Sequence, residues 1–175
     1  EYEFRTTVIR ELHEKEDFEK IIDELSKASG KQWKILLRLH PTVASFAAEI
    51  EWPSYIVDVS DYYDGQALVS ASDIMITDYS SIMFEMAYVQ KPVFLFAPDY
   101  EEYTKNEYEF LIDYNSLPFP ISKNTEELIT DIREFDRTEY ENRVKSFLDG
   151  YGVHEDGHAS KRTADFIMSL IEDCE

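Results

Sequence analysis

The fold of this chain is decided by residues 73–96, which read DIMITDYSSIMFEMAYVQKPVFLF. An apolar run lies at each end, and between them Ile82, Met83, Met86 and Val89 recur at helical spacing. A strand, a helix and a second strand in this order form a βαβ unit with parallel strands. The charged residues from 73 to 98 are few: Asp73, Asp78, Glu85 and Lys91. We therefore predict that this unit lies at the centre of the sheet and is covered on both faces.

The same alternation extends to both sides of this unit. Apolar spacing predicts strands at 33–39 and 55–59, and helices at 17–27, 42–50, 66–71, 126–135, 139–148 and 159–171. The acidic stretch 99–113 predicts a solvated loop or irregular helix near the strand ends. Strands alternating with helices predict an α/β fold, a doubly wound, Rossmann-like parallel sheet, and we expect residues 1–175 to form one domain.

Composition and charge exclude several classes of protein. The chain has 175 residues, with 37 acidic and 17 basic side chains and a formal net charge of −20. This charge repels phosphate backbones and anionic surfaces, so we expect no nucleic acid partner. Cys174 has no second cysteine with which to form a disulfide or a CxxC pair. The chain begins at Glu1 without a methionine, and we expect it to be a piece of a longer protein.

Three predicted strand exits carry polar or bent sequence: 38–41, 77–81 and 97–100. Ligands of open parallel sheets bind beyond the carboxyl ends of the strands, so these exits are the candidate site. At 77–81, two serines are predicted to open a helix whose unpaired N–H groups could bind a phosphate. The alternative is that Asp78, Ser80 or Ser81 caps this helix.

Arg38 and His40 alternate with Leu37 and Leu39, so they are predicted to share one side of the chain at a strand exit. An arginine offers a planar fork of donors, and a histidine can exchange a proton near neutral pH. Both suit phosphate chemistry. For His40, a structural role with a bond to a backbone carbonyl is the alternative.

Residues 154–162 combine a turn with a predicted helix start and two cations. His154 and His158 could suggest a metal pair, but the intervening glycine indicates a loop and the sequence offers no third ligand. The alternative roles are capping by Asp156 or Ser160, with Arg162 in solvent. We predict neither a metal nor a cofactor.

These residues resemble the CDP-glycerol glycerophosphotransferase family, enzymes of wall teichoic acid and related capsule polymers. Four blocks carry the resemblance: Arg38-Leu39-His40-Pro41; 71–81 running on to Phe84-Glu85; Lys91 to Phe96; and Asp156-Gly157 with Ala159, Ser160 and Arg162. The second block is the specific one. The order of the blocks resembles the family's C-terminal, donor-binding lobe over nearly the whole chain. The resemblance implies one lobe of a GT-B fold, with an N-terminal acceptor lobe absent from this sequence.

The resemblance also implies a reaction and roles for residues. The family transfers a polyol phosphate from a CDP-linked donor to an acceptor hydroxyl, with CMP leaving. His40 corresponds to a catalytic histidine, and Glu85 to an acid that binds ribose hydroxyls. The implied donor-binding residues are Arg38, Thr77, Asp78, Tyr79, Ser80, Ser81, Glu85, Asp156, Gly157, Ser160 and Arg162. The acceptor would be lipid-linked or polymeric and bound through the other lobe, with the full-length protein in the cytoplasm, peripheral at the inner face of the cell membrane.

One difference from the family's sequence pattern leaves the identity of the donor's polyol undecided. Many relatives carry an Arg-Gly pair and aromatics before an Asp-Tyr, whereas the stretch before Asp113-Tyr114 reads Tyr108-Glu109-Phe110-Leu111-Ile112. The polyol could therefore be glycerol, ribitol or another. Two rival functions remain at this point: a nucleotide-sugar glycosyltransferase of GT-B fold, and a nucleotide-binding or interaction module without turnover.

Overall fold

The structure, a computed structural model of the chain, describes residues 2–7, 15–39, 51–106 and 110–172. Its strands are β1 (Tyr2–Thr7), β2 (Trp33–Arg38), β3 (Ile56–Asp58), β4 (Ile74–Thr77), β5 (Val93–Phe96) and β6 (Ile121–Ser122). Its α-helices are α1 (Lys15–Ser29), α2 (Gly65–Ala71), α3 (Met83–Tyr88), α4 (Tyr100–Asn106), α5 (Thr125–Arg133), α6 (Arg137–Gly150) and α7 (Ala159–Glu172). A short 3₁₀ helix covers Tyr114–Ser116. The predicted helix at 42–50 lies outside the described residues.

The strands form one parallel sheet in the order β3-β2-β1-β4-β5-β6. This is the doubly wound order, in which the chain reverses direction across the sheet between β1 and β4. The prediction of a Rossmann-like parallel sheet is confirmed. The reversal places the carboxyl ends of β1 and β4 on either side of the crevice where such sheets bind ligands.

The predicted βαβ unit contributes β4 and β5, whose residues are all buried. The central pair of strands, however, is β1 and β4, and the sequence analysis missed β1. Its residues YEFRTT carry Glu3 and Arg5, so they lack the continuous apolar run that identified the other buried strands.

Alternating side chains of β4 and β5 build a core on each face of the sheet. Ile74, Ile76, Phe94 and Phe96 pack with α1 and α5 on one face. Met75, Val93 and Leu95 pack with α2, α3 and α6 on the other face. Because both faces of the sheet are covered, polar side chains can reach solvent only beyond Thr77, at the carboxyl end of β4.

Two hydrogen-bonding side chains, of Lys91 and Tyr140, fix the β4–β5 unit. Lys91 Nζ donates to the carbonyls of Ser70 and Ser72, each at 2.7 Å, and so holds the C-terminus of α2. The hydroxyl of Tyr140, on α6, donates to the Lys91 carbonyl at 2.8 Å and accepts from Val93 N–H at 3.1 Å. These bonds tie α2 and α6 to the strand that follows α3.

Helix α7 matches its predicted bounds, yet its apolar stripe is exposed. Phe166 is 64% exposed, and Ile167, Leu170 and Ile171 are each more than half exposed. Helical spacing therefore predicted the element correctly, while its apolar face packs against none of the described residues closely enough to be buried.

Candidate functional site

An open groove lies at the carboxyl end of β4. Its volume is about 490 Å³, within the range of about 300–1,000 Å³ that is usual for small-molecule sites. One wall is the start of α2 and the two residues before it, and the other is the turn that leads into α3 together with the first turn of that helix. The lining residues are Tyr63, Asp64, Gly65, Gln66, Val69, Ser80, Ser81, Ile82 and Glu85. The groove therefore brings together three predicted site residues, namely Ser80, Ser81 and Glu85.

The turn before α3 differs from its prediction. The helix has six residues and begins at Met83, with Ile82 as its N-cap and no side-chain capping bond. The N–H groups of Met83 and Phe84 already donate to the carbonyls of Ser80 and Ser81, at 3.2 and 3.1 Å. The prediction that Ser80 opens the helix with unpaired N–H groups is wrong, because residues 80–82 form a tight turn first. The alternative of a serine cap is wrong as well, so both serines line the groove without capping the helix.

Asp78 organises this turn from within. Its carboxylate accepts backbone hydrogen bonds from its own N–H and from those of Tyr79 and Ser80. Burial, and to a smaller extent the nearby Asp99 carboxylate, raises the pKa of Asp78 to about 6 against the lowering effect of the backbone N–H groups. Asp78 thus stabilises the backbone of the turn at the cost of a partly buried charge.

Tyr79 is held in an aromatic cluster beside the groove. Its ring stacks on Tyr103 with centroids 3.8 Å apart, and its hydroxyl donates to Asp99 at 2.6 Å. Tyr114 also packs against Tyr79, and its hydroxyl donates to the Asp78 carbonyl at 3.2 Å. Burial raises the pKa of Tyr79. Since Tyr79 is not among the lining residues, its observed role is to fix the Asp78–Ser81 turn.

Thr77 and Arg38 lie at the carboxyl ends of two strands that are separated by β1. Thr77 closes β4 and is fully buried. Arg38 closes β2, and its guanidinium reaches Gly65 in the groove wall: a β-carbon on Gly65 would lie 2.6 Å from Arg38 Nη1. Among the described residues, none of the ion pairs involves Arg38. A cation is therefore next to the groove, whereas His40 lies outside the described residues.

The second group of predicted residues forms a separate, exposed turn. Arg162 pairs with the Asp156 carboxylate and donates to the His154 carbonyl at 2.6 Å. The bond from Arg162 holds the pKa of Asp156 below its usual value. Gly157 has a φ of +77°, which favours glycine at this position. Neither these residues nor Ser160 line the groove, so the structure does not bring the two groups together.

The described residues contain neither a metal-binding cluster nor a membrane-spanning helix. Within 2–7, 15–39, 51–106 and 110–172, no three side chains of His, Cys, Asp or Glu are arranged to hold a metal ion. In the same ranges, no helix has the length and apolar composition needed to cross a membrane.

Residues 63–66, which form one wall of the groove, were not predicted as part of the site. The three predicted strand exits do not include the one after β3. The signal was present, because Asp58 to Gly65 is a polar, tyrosine-containing stretch that follows a predicted strand and ends in Asp-Gly.

Fold and groove together define a doubly wound domain with a candidate ligand groove at the carboxyl end of β4. Comparison with known proteins specifies the class. Residues 4–169 match the model of the CDP-Glycerol:Poly(glycerophosphate) glycerophosphotransferase family. The chain belongs to this family, and the resemblance drawn from the four sequence blocks is confirmed.

Named relatives are enzymes of teichoic acid synthesis. The chain is 37% identical to the teichoic acid ribitol-phosphate primase of Bacillus spizizenii over 142 residues, which cover 81% of this chain and 36% of that protein. It is 35% identical to the teichoic acid glycerol-phosphate transferase of Staphylococcus aureus, over 84% of this chain and 38% of that protein. The chain thus spans well under half the length of these relatives.

Solved structures of the wall teichoic acid polymerase TagF have the same fold. One superimposes with a TM-score of 0.72 at 27% identity, covering 99% of this chain and 44% of that one. Another, of a variant soaked with CDPG, gives a TM-score of 0.70 at 28% identity, over 99% of this chain and 43% of that one. The predicted GT-B-like lobe is confirmed by this likeness.

Proposed function

We propose that this chain is the donor-binding lobe of a transferase that moves glycerol phosphate, or a related polyol phosphate, from a CDP-linked donor to an acceptor hydroxyl in teichoic acid synthesis. The observation that carries the proposal is the groove at the carboxyl end of β4, in a chain of this family. Its lining supplies hydroxyls at Ser80 and Ser81 and a carboxylate at Glu85. A nucleoside diphosphate needs this combination: donors for the phosphates and an acceptor for the ribose hydroxyls.

We place the donor diphosphate along the Ser80–Ser81 wall. The serine hydroxyls can donate to phosphate oxygens, and the Arg38 guanidinium lies behind Gly65 of the opposite wall. Glu85 is exposed and lies in the first turn of α3, one helical turn beyond Ser81, where it can accept from ribose hydroxyls. Arg38 must act at short range, because the net charge of −20 opposes anion binding elsewhere on the chain.

The proposed reaction asks little covalent chemistry of the protein. The acceptor oxygen attacks the β-phosphorus of the donor, the bond from that phosphorus to the bridging oxygen breaks, and CMP leaves with the bridging oxygen. Positioning and cationic donors stabilise the charge that spreads over the phosphoryl oxygens. By family resemblance, His40 takes the proton of the acceptor hydroxyl or stabilises the leaving group. Release of CMP, and not of a nucleoside diphosphate, distinguishes this reaction from glycosyl transfer.

The remainder of the active enzyme is proposed to be a second lobe that binds a lipid-linked or polymeric acceptor. We further propose that the full-length protein acts in the cytoplasm at the inner face of the cell membrane. The teichoic acid enzymes named among its relatives, each more than twice as long as this chain, support the proposal of a second lobe, while the proposed location follows from the family resemblance.

Calorimetric titration of the chain with CDP, CDP-glycerol, CDP-ribitol and UDP tests the donor site. We expect the cytidine ligands to bind, and the double variant Ser80→Ala with Ser81→Ala to lose about 1 to 3 kcal/mol of CDP binding, because hydrogen bonds to charged phosphate oxygens are lost. The matched control replaces the exposed Ser54 and Ser169 by alanine. Unchanged CDP affinity in the groove variant would place the diphosphate elsewhere.

Arg162 stays a predicted donor contact. Titration of Arg162→Ala at two salt concentrations decides its role, because a contact to phosphate weakens most visibly at low salt. A loss of CDP affinity that grows at low salt supports the contact. Equal affinity leaves Arg162 with its pairing to Asp156 alone.

A further inference from the structure

Two large aromatic side chains, of Tyr62 and Tyr63, are exposed to solvent at the rim of the groove. Tyr63 lines the groove and is 90% exposed, and Tyr62 beside it is 45% exposed. Their rings stack on each other, with centroids 5.6 Å apart and planes 24° from parallel. Tyr62 lies against one face of the Tyr63 ring, and the other face of that ring is a flat apolar surface at the rim of the groove.

The backbone that carries these rings is fixed at both ends. The Tyr62 N–H donates to the Val59 carbonyl at 3.0 Å, and the Val59 N–H donates to the Leu37 carbonyl at 2.8 Å in the neighbouring strand. On the other side, the Asp64 carboxylate accepts from the Ala67 N–H at 3.0 Å and caps α2. A ring on a tethered loop loses less conformational freedom on binding than a ring on a free one.

The polar groups nearby suit a neutral, flat ligand. Gln66 and Glu85 are exposed and line the groove together with Tyr63. Neither of their side chains forms a hydrogen bond within the described ranges. Asp58 ends β3, Asp61 lies on the loop that carries the two tyrosines, and Asp64 lies in the wall. These carboxylates repel a phosphate polymer, whereas a cytosine ring carries no charge near neutral pH and has a π-face for stacking.

We propose that Tyr63, supported by Tyr62, is the stacking platform for the nucleobase of the donor, with the Gln66 amide within the same wall to bond the edge of the base. This inference rests on the proposed donor site and adds the position of the base to it. The base lies against the α2 wall, and the ribose and diphosphate follow along Glu85, Ser81 and Ser80. Tyr63 is then a residue that binds substrate without taking part in the transfer of the phosphoryl group.

The test is a comparison of two ligands across variants of the chain. Removing a stacked aromatic ring lowers affinity by about 5- to 150-fold, so Tyr63→Ala should weaken CDP binding by that factor. Tyr63→Phe keeps the ring and should bind CDP nearly as well as the wild type. Inorganic diphosphate, which has no base, should bind Tyr63→Ala and the wild type equally. Tyr88→Ala is the matched control, since Tyr88 is 41% exposed and does not line the groove.

The outcomes separate this inference from the function on which it rests. If the wild type binds CDP and Tyr63→Ala binds it equally well, the platform is refuted and the donor site stands. If CDP binds no better than inorganic diphosphate to the wild type, both are overturned. Saturation-transfer NMR gives a second measurement: the cytosine ring protons should lose their signal in Tyr63→Ala at ligand concentrations that still saturate the site. Equal unfolding temperatures of the variants exclude a loss of folding.

Discussion

Replacing Asp78 by asparagine should change the pH dependence of stability in a defined direction. The pKa of Asp78 is raised from 3.8 to about 6 in the folded chain, chiefly by burial. Its contribution to the free energy of unfolding is therefore fully present below about pH 4 and is lost as the pH rises through 6. A rise of about two in pKa corresponds to about 3 kcal/mol. Asparagine has no charge to bury and keeps one oxygen that can accept the backbone N–H bonds of the turn.

Urea unfolding of the wild type and of Asp78→Asn, at several pH values, measures this effect. The isoelectric point of about 4.4 makes pH 5 a practical lower limit. Between pH 5 and pH 8 we expect the free energy of unfolding of Asp78→Asn to rise by about 1.4 kcal/mol relative to that of the wild type. This is the part of the Asp78 contribution that the wild type loses over this pH range. Glu101→Gln, an exposed acid at the start of α4, is the control and should follow the wild type. A relative stability that stays constant, or falls with pH, would refute the argument from burial.

Three further outcomes are expected. In the full-length enzyme, His40→Ala should lower turnover by about 10²- to 10⁴-fold, as for loss of a general base, with little change in unfolding temperature; near-normal turnover would return His40 to a structural role. Tyr140→Phe should lower the free energy of unfolding by about 1 to 3 kcal/mol in chemical denaturation, because the Val93 N–H and the Lys91 carbonyl lose a buried partner; an unchanged midpoint would contradict this. The chain by itself should bind donor but release almost no CMP when a suitable acceptor is added, since a site shared by two lobes is incomplete in one; robust turnover would show that the groove suffices.

The strongest local patterns were enough to predict most of the elements. The buried runs at Ile74–Ile76 and Val93–Phe96 identified β4 and β5, because strands covered on both faces must be apolar throughout. The Asp78–Ser81 block then identified the family. The position of the candidate groove at the end of β4 followed from the rule that open parallel sheets bind ligands at their carboxyl edge.

Long-range contacts decided the rest. The sequence could not show that β1 pairs between β2 and β4, because strand order depends on partners distant in the chain. It could not show that Arg38 reaches Gly65, or that Arg162 turns back to Asp156. It also could not show that Tyr63 faces Ser80 and Ser81 across a groove, since these residues follow different strands.

The sequence by itself therefore determined most of the buried residues, most of the strands and helices, and the family to which the chain belongs. The exceptions are the strand β1 and the exposed apolar face of α7. These properties follow from side-chain polarity and spacing over a few turns or strand residues. Only the tertiary structure decided which polar residues share a site. That outcome depends on the crossover from β3 through α2 to β4, which brings the start of α2 beside the turn after β4, and no local pattern encodes the distance between two such segments.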